Sequence, residues 1–143
     1  MSALVDVSVL RWLPTAGVDV AMVRGAVAGL VAAVPGSVLD VNVAADGRTV
    51  GLQVASVAAL SVWFDLVGWA SGAVSSRDGG GLAWHVRLPM LPGLPGVRVE
   101  LTAVSGEFEV LPRTALVRAM CPWMPQRWAL EDREAAAWAR RAA

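Results

Sequence analysis

The sequence predicts an α+β fold. It reads as a two-layer sandwich with a ferredoxin-like (split βαβ) sheet of four to six mostly antiparallel strands. Helices cover one face of that sheet, and a C-terminal helical extension follows. Three observations lead there. Segments of period-two alternation recur along the chain, each apolar on one side only, as expected of strands with one buried and one wet face. Helical periodicity separates them, in the order strand, helix, strand, strand, helix, strand, then a further strand and two helices. A doubly wound parallel sheet would need strands apolar on both faces, which these are not. The 143 residues suit a sandwich domain over 1–112 with a helical extension over 113–143 packed on it.

The most apolar stretch, residues 49–69, holds a single charged side chain, Asp65. Val50, Leu52 and Val54 alternate with Thr49, Gly51 and Gln53, which predicts a strand. Ser56 suits a helix N-cap. In the helix that follows, Val57, Leu60, Phe64 and Val67 form a stripe fit to cover a sheet. Ala59, Val62, Trp63, Leu66 and Trp69 make a second apolar side, and only Ala58, Ser61 and Asp65 form a small or polar wedge. One stripe is the norm for a surface helix, so this side predicts a covering layer, from this chain or another. Gln53, Ser56, Ser61 and Asp65 argue against a membrane span, since a mid-helix Asp costs about 3 kcal/mol on insertion.

The other elements follow in order. Residues 3–10 alternate as a first strand, with Val5, Val7 and Val9 on one side and Asp6 and Ser8 on the other. Asp19 caps a predicted helix reaching about Val34, with Val20, Val23, Val27, Leu30, Val31 and Val34 as its core stripe. Its back is small, and Gly25 and Gly29 there offer a G-x-x-x-G spacing for close packing. Residues 38–44 form a strand with Leu39, Val41 and Val43 facing in. Asp46-Gly47 gives a hairpin turn into the 49–54 strand. Residues 71–81, SGAVSSRDGGG, read as a flexible loop. Residues 82–88 place Leu82, Trp84, Val86 and Leu88 inward, and residues 97–104 pair with them through Val97, Val99 and Leu101. Between these two strands, PMLPGLPG predicts an extended, polyproline-like arm that folds back or reaches a neighbour through Met90, Leu91 and Leu94. Residues 108–111 read as a short strand. Helical signals return at 113–120, Pro122 and Pro125 break them, and a last helix covers about 130–141. Its acids Glu131, Asp132 and Glu134 come first and Arg140 and Arg141 last, as the helix dipole favours.

Composition narrows the function classes. The apolar fraction is 56% and the charged fraction 17%, with no net charge. Such a chain has difficulty covering its own apolar surface, which favours a permanent partner. All twelve basic residues are Arg, a pattern of high-GC codon usage of the kind found in actinobacteria and their phages. The single cysteine, Cys121, excludes an internal disulfide. The first ten residues carry Asp6 and no basic group, unlike a signal peptide. A cytoplasmic protein, or a virion component assembled in the cytoplasm, is expected.

No motif points to catalysis, a metal or a cofactor. The glycine-rich loop lacks the Lys and following helix of a phosphate cradle. The polar sheet face is expected to display Asp6, Ser8, Asp40, Asn42, Gln53, His85, Arg87, Arg98, Glu100 and Thr102. That set lacks metal-ligand spacing, and it lacks the aromatics on which RNA bases stack. Nothing in the sequence aligns His85 with Cys121. The leading expectation is a non-enzymatic protein–protein interaction or assembly subunit whose partner is itself or another chain, with no small-molecule substrate. The expected partner-binding residues are Trp63, Trp69, Met90, Leu91, Leu94, Gly25 and Gly29. The alternative is a nucleic-acid-binding accessory protein using the C-terminal segment. There Trp123, Trp128 and Trp138 lie among Arg113, Arg118, Arg127, Arg133, Arg140 and Arg141. The competing account of that segment is a helical cap whose tryptophans cover Trp63 and Trp69.

Overall fold

A computed structural model of the chain describes residues 19–34, 37–91 and 93–142. The described elements, in chain order, are α1 (Val20–Ala32), β1 (Val38–Val43), β2 (Thr49–Val54), α2 (Val57–Val67), β3 (Ser71–Ser76), β4 (Leu82–Arg87), β5 (Arg98–Ser105), α3 (Ala115–Met120) and α4 (Met124–Ala142). The strands make one mixed sheet in the order β1-β2-β5-β4-β3. Only β2 and β5 run parallel; the other three pairs are antiparallel.

The alternation seen in the sequence sets which face is buried. Val50, Leu52 and Val54 from β2, Trp84 and Val86 from β4, and Val99, Leu101 and Ala103 from β5 are all buried. The helices pack on that face, α2 against β2 and β5, α1 against β1, and α3 against β3 and α2. Leu116, Val117, Cys121, Met124 and Trp128 join the same core, so the C-terminal segment and the sheet share one apolar interior. The opposite face carries polar rows such as Gln53, Thr102 and His85 side by side.

Several elements behave as their local chemistry requires. Asp19 caps α1 by accepting from Ala21 N–H at 2.9 Å, and Ser56 caps α2 by accepting from Ala59 N–H at 3.1 Å. Gly68 ends α2 with φ 82, before Trp69. In the β1–β2 hairpin Gly47 has φ 70, and Asp46 Oδ1 accepts from Arg48 N–H at 2.9 Å. Ser71–Ser76 and Leu82–Arg87 pair in full register.

That last pairing corrects one expectation. Residues 71–76 are a strand, not a loop, and only residues 77–81 form the turn. Leu39 is a second correction. The β1–β2 register shifts between Val38 and Asp40, so Leu39 is the bulged residue and is 66% exposed. Val38, Val41 and Val43 stand opposite Val54, Leu52 and Val50 instead. Residues 108–111 do not join the sheet. The last helix starts at Met124, earlier than expected. Pro125 falls within its first turn, where a backbone N–H has no intrahelical acceptor and proline is tolerated. Glu131, Asp132 and Glu134 are thus mid-helix, while Arg140 and Arg141 do occupy the last turn.

The strand expected at residues 3–10, with Asp6 and Ser8, lies outside the described residues. Among those described, the place beside β2 on the side away from β1 belongs to β5.

Candidate interaction surface

The expected partner-binding residues are dispersed. Trp63 is fully buried, and its Nε1 donates to Ser37 Oγ at 3.0 Å. Trp69 is half-buried, edge-on to Phe64 with 5.6 Å between ring centroids. Its ring lies over Gly72, at a place where a Cβ would collide with it. The 89–96 segment turns back on its own chain. Leu94 N–H bonds to the Leu91 carbonyl at 3.0 Å, Leu94 is buried and Leu91 packs against the core. Of Met90, Leu91 and Leu94, Met90 stands out, 71% exposed. Gly25 and Gly29 lie on the exposed back of α1 with nothing within 4 Å of a notional Cβ. Trp63, Leu91 and Leu94 are therefore part of the interior, and Met90, Gly25 and Gly29 face out at separate places.

The second apolar side of α2 is covered only in part. Trp63 and Ser61 are buried, whereas Val62 and Leu66 remain exposed. Ser61 Oγ donates to the Val57 carbonyl at 2.9 Å and lies 2.8 Å from Thr114 Oγ1. Thr114 also caps α3 through Val117 N–H at 3.4 Å. A small hydroxyl pair thus fixes the start of the C-terminal segment on α2.

The C-terminal aromatic and basic residues divide in the same way. Trp128 is buried, with the Arg113 and Arg118 guanidinium groups 5.7 and 5.9 Å from its ring. Arg113 makes a two-pronged bond to Asp132, at 2.7 and 2.8 Å. That bond holds the Asp132 carboxyl below its ordinary range and pushes the Arg113 guanidinium up. Arg127 pairs with Glu131 one turn on, at 3.5 Å. Arg133, Arg140 and Arg141 make no ion pair with any described residue, and Arg141 lies 5.2 Å from the Trp138 ring centroid. Trp123 is 54% exposed and Trp138 68%.

One surface was not expected. Where β5 ends, residues 106–111 run without a ladder partner beside the start of α4. The two enclose a cleft of about 550 Å³ lined by Leu82, Phe108, Val110, Trp123, Arg127 and Glu131, among others. Phe108 and Val110 are each 91% exposed, between Glu107 and Glu109. The alternation in EFEV suggested a short strand, but Glu107 and Phe108 instead form a turn in which Glu109 N–H donates to the Gly106 carbonyl at 3.2 Å. A second groove, about 590 Å³, runs between α1 and the edge strand β1 and is lined by Val27, Val31, Val41 and Val43 with Arg24 and Asn42.

The polar sheet face shows His85 Nε2 3.3 Å from Glu100 Oε2, both partly exposed. Among the described residues no group of three or more His, Cys, Asp and Glu is placed to hold a metal ion. Cys121 is buried, and burial pushes its thiol up, away from the thiolate a nucleophile needs. No described helix is long and apolar enough to cross a membrane.

No protein-family model matches the chain, and neither a curated protein nor a solved structure matches it.

Proposed function

We propose that this chain is a non-enzymatic protein–protein interaction module, an assembly subunit, that docks through the cleft between residues 106–111 and the start of α4. The observation that carries this reading is the near-complete exposure of Phe108 and Val110 beside a half-exposed Trp123. Exposed apolar side chains grouped around a concavity mark a binding site more often than scattered ones do, and tryptophan is a frequent anchor in such sites. The low charged fraction supports the same reading. The fold reading that accompanies it is a two-layer sandwich of the split βαβ, ferredoxin-like type. Helices on one sheet face support the two layers; the split βαβ order has no such support, because β5 holds the place beside β2 that this order gives to the strand expected at residues 3–10.

The test compares the full chain with the double variant Phe108→Glu, Val110→Glu. The wild type should enhance the fluorescence of an apolar-surface dye and retain a stoichiometric partner, in solution or after cross-linking in the cells that make it. The variant should lose both while keeping its circular dichroism. A wild type that binds no dye and retains no partner would reject the reading.

A further inference from the structure

The open face of the sheet carries two arginines without a counter-charge. On β5 the residues Val99, Leu101 and Ala103 are buried, so Arg98, Glu100 and Thr102 point to the other face. On β4 the buried Trp84 and Val86 place His85 and Arg87 on that same face. Arg87 stands opposite Glu100 in the β4–β5 ladder. Arg98, two residues before Glu100, is then its diagonal neighbour, about 7–8 Å away. Glu100 is the acid nearest to both along the ladder. Its carboxylate lies instead 3.3 Å from His85 Nε2. Neither Arg87 nor Arg98 makes an ion pair with any described residue. Two guanidinium groups so close repel each other, and an anion held between them would remove that cost.

Both arginines line a cleft of about 550 Å³, where the β1–β2 turn, the end of β4 and the start of β5 meet. That is within the range of small-ligand sites. Arg48 and Asp46 line it too, so its walls hold three arginines against one acid, a balance of +2. Asp46 Oδ1 accepts from Arg48 N–H at 2.9 Å. Thr49, opposite Arg98 in the β2–β5 ladder, offers a hydroxyl. Pro89 and the exposed Met90 form an apolar wall. Guanidinium groups recognise phosphate through paired N–H donors. A phosphomonoester carries close to two negative charges at neutral pH, which matches the lining. A carboxylate or a phosphodiester brings only one. We propose that this cleft binds a small organic phosphomonoester, with its phosphate between Arg87 and Arg98 and its carbon skeleton against Pro89 and Met90. The site lies at the other end of β5 from the 106–111 segment, so it stands or falls independently of the docking reading.

The experiment is an NMR titration of the full chain at low salt. Phenyl phosphate, inorganic phosphate, benzoate and a short single-stranded oligonucleotide serve as separate probes. Phenyl phosphate should shift the amides of residues 46–49, 87–90 and 96–98, saturably and at millimolar concentration or below. Inorganic phosphate should move the same amides more weakly, and benzoate more weakly still. Arg87→Ala and Arg98→Ala should each weaken phenyl phosphate about tenfold, whereas Arg77→Ala, in the β3–β4 turn, should not. Met90→Ala should weaken phenyl phosphate and leave inorganic phosphate unchanged. The proposal is overturned if phenyl phosphate gives no saturable shift, or if its binding survives in a folded chain carrying both Arg87→Ala and Arg98→Ala. Benzoate binding as tightly would remove the charge argument and the proposal with it. An oligonucleotide that binds more tightly than phenyl phosphate would give the face to nucleic acid. A Met90→Ala effect that is equal for both phosphates would refute the placement of the carbon skeleton.

Discussion

Trp63 and Ser37 are joined inside the core by one hydrogen bond, from the indole Nε1 to the serine Oγ at 3.0 Å. Ser37 in turn donates to the Val34 carbonyl at 2.8 Å. One hydroxyl thereby satisfies a buried indole and a carbonyl just past α1, and ties α2 to the entry of β1. Ser37→Ala would leave both groups buried without a partner, a loss of about 1–3 kcal/mol. Chemical denaturation should show a lower midpoint with an unchanged slope. An unaltered midpoint would mean that the indole finds another acceptor.

The β3–β4 turn makes a graded prediction. Gly79 and Gly81 both have positive φ, 84 and 87. A Cβ at Gly79 meets open space, whereas at Gly81 it would run into the Ser105 backbone carbonyl. Gly79→Ala should cost only the left-handed strain, about 1–2 kcal/mol. Gly81→Ala should cost more, because a backbone atom must also move. Thermal unfolding should rank the two variants in that order, with amide exchange in β3 and β4 faster in Gly81→Ala. Equal effects would refute the steric part.

Acid should act on the anchor between Arg113 and Asp132. The hydrogen bond from Arg113 holds the Asp132 carboxyl below its ordinary value of 3.8. The folded chain therefore binds this proton less readily than the unfolded chain does. The contribution is complete above the unfolded-state value and is lost as pH falls through the lower, folded one. Arg113 stays charged throughout. An NMR titration should place the Asp132 carboxyl below its ordinary value, and Asp132→Asn should remove that part of the acid sensitivity. A carboxyl titrating at its ordinary value would show that the pair does not persist in solution.

The nucleic-acid alternative yields a prediction in the negative. Arg113 and Arg127 are engaged by acids of the same segment and Trp128 is buried. Of the expected set this leaves Arg118, which lies over the Trp128 ring, and Arg133, Arg140 and Arg141, with Trp123 and Trp138. Binding to single- or double-stranded DNA or RNA should be undetectable even at low salt. A steep salt dependence that Arg140→Ala with Arg141→Ala abolishes would assign α4 to nucleic acid instead of to a protein partner.

The expectations that hold and those that fail differ in how local their causes are. The inward sets of β2, β4 and β5 are legible because alternation leaves a strand one way to face, and Asp46-Gly47 is legible because its turn is made by its own side chains. The strand at Ser71–Ser76 is not. SGAVSS has small polar side chains and no alternation, and it becomes a strand because the edge of β4 offers a backbone ladder, which depends little on side-chain type. Leu39 obeys the alternation and is still turned out, because a register shift is a property of a pair of strands.

The chain's own order of apolar and polar residues determined the strand faces, the helix caps and the surplus of apolar surface. Tertiary structure alone decided where that surplus lies. By sequence Trp63 and Phe108 are equally apolar, and Trp63 looked the more available. Trp63 is buried in the core with its indole bonded to Ser37, just ahead of β1, while Phe108 stays 91% exposed. Burial depends on which elements arrive at the same place, so periodicity along one segment measures how much surface needs covering and leaves open what covers it.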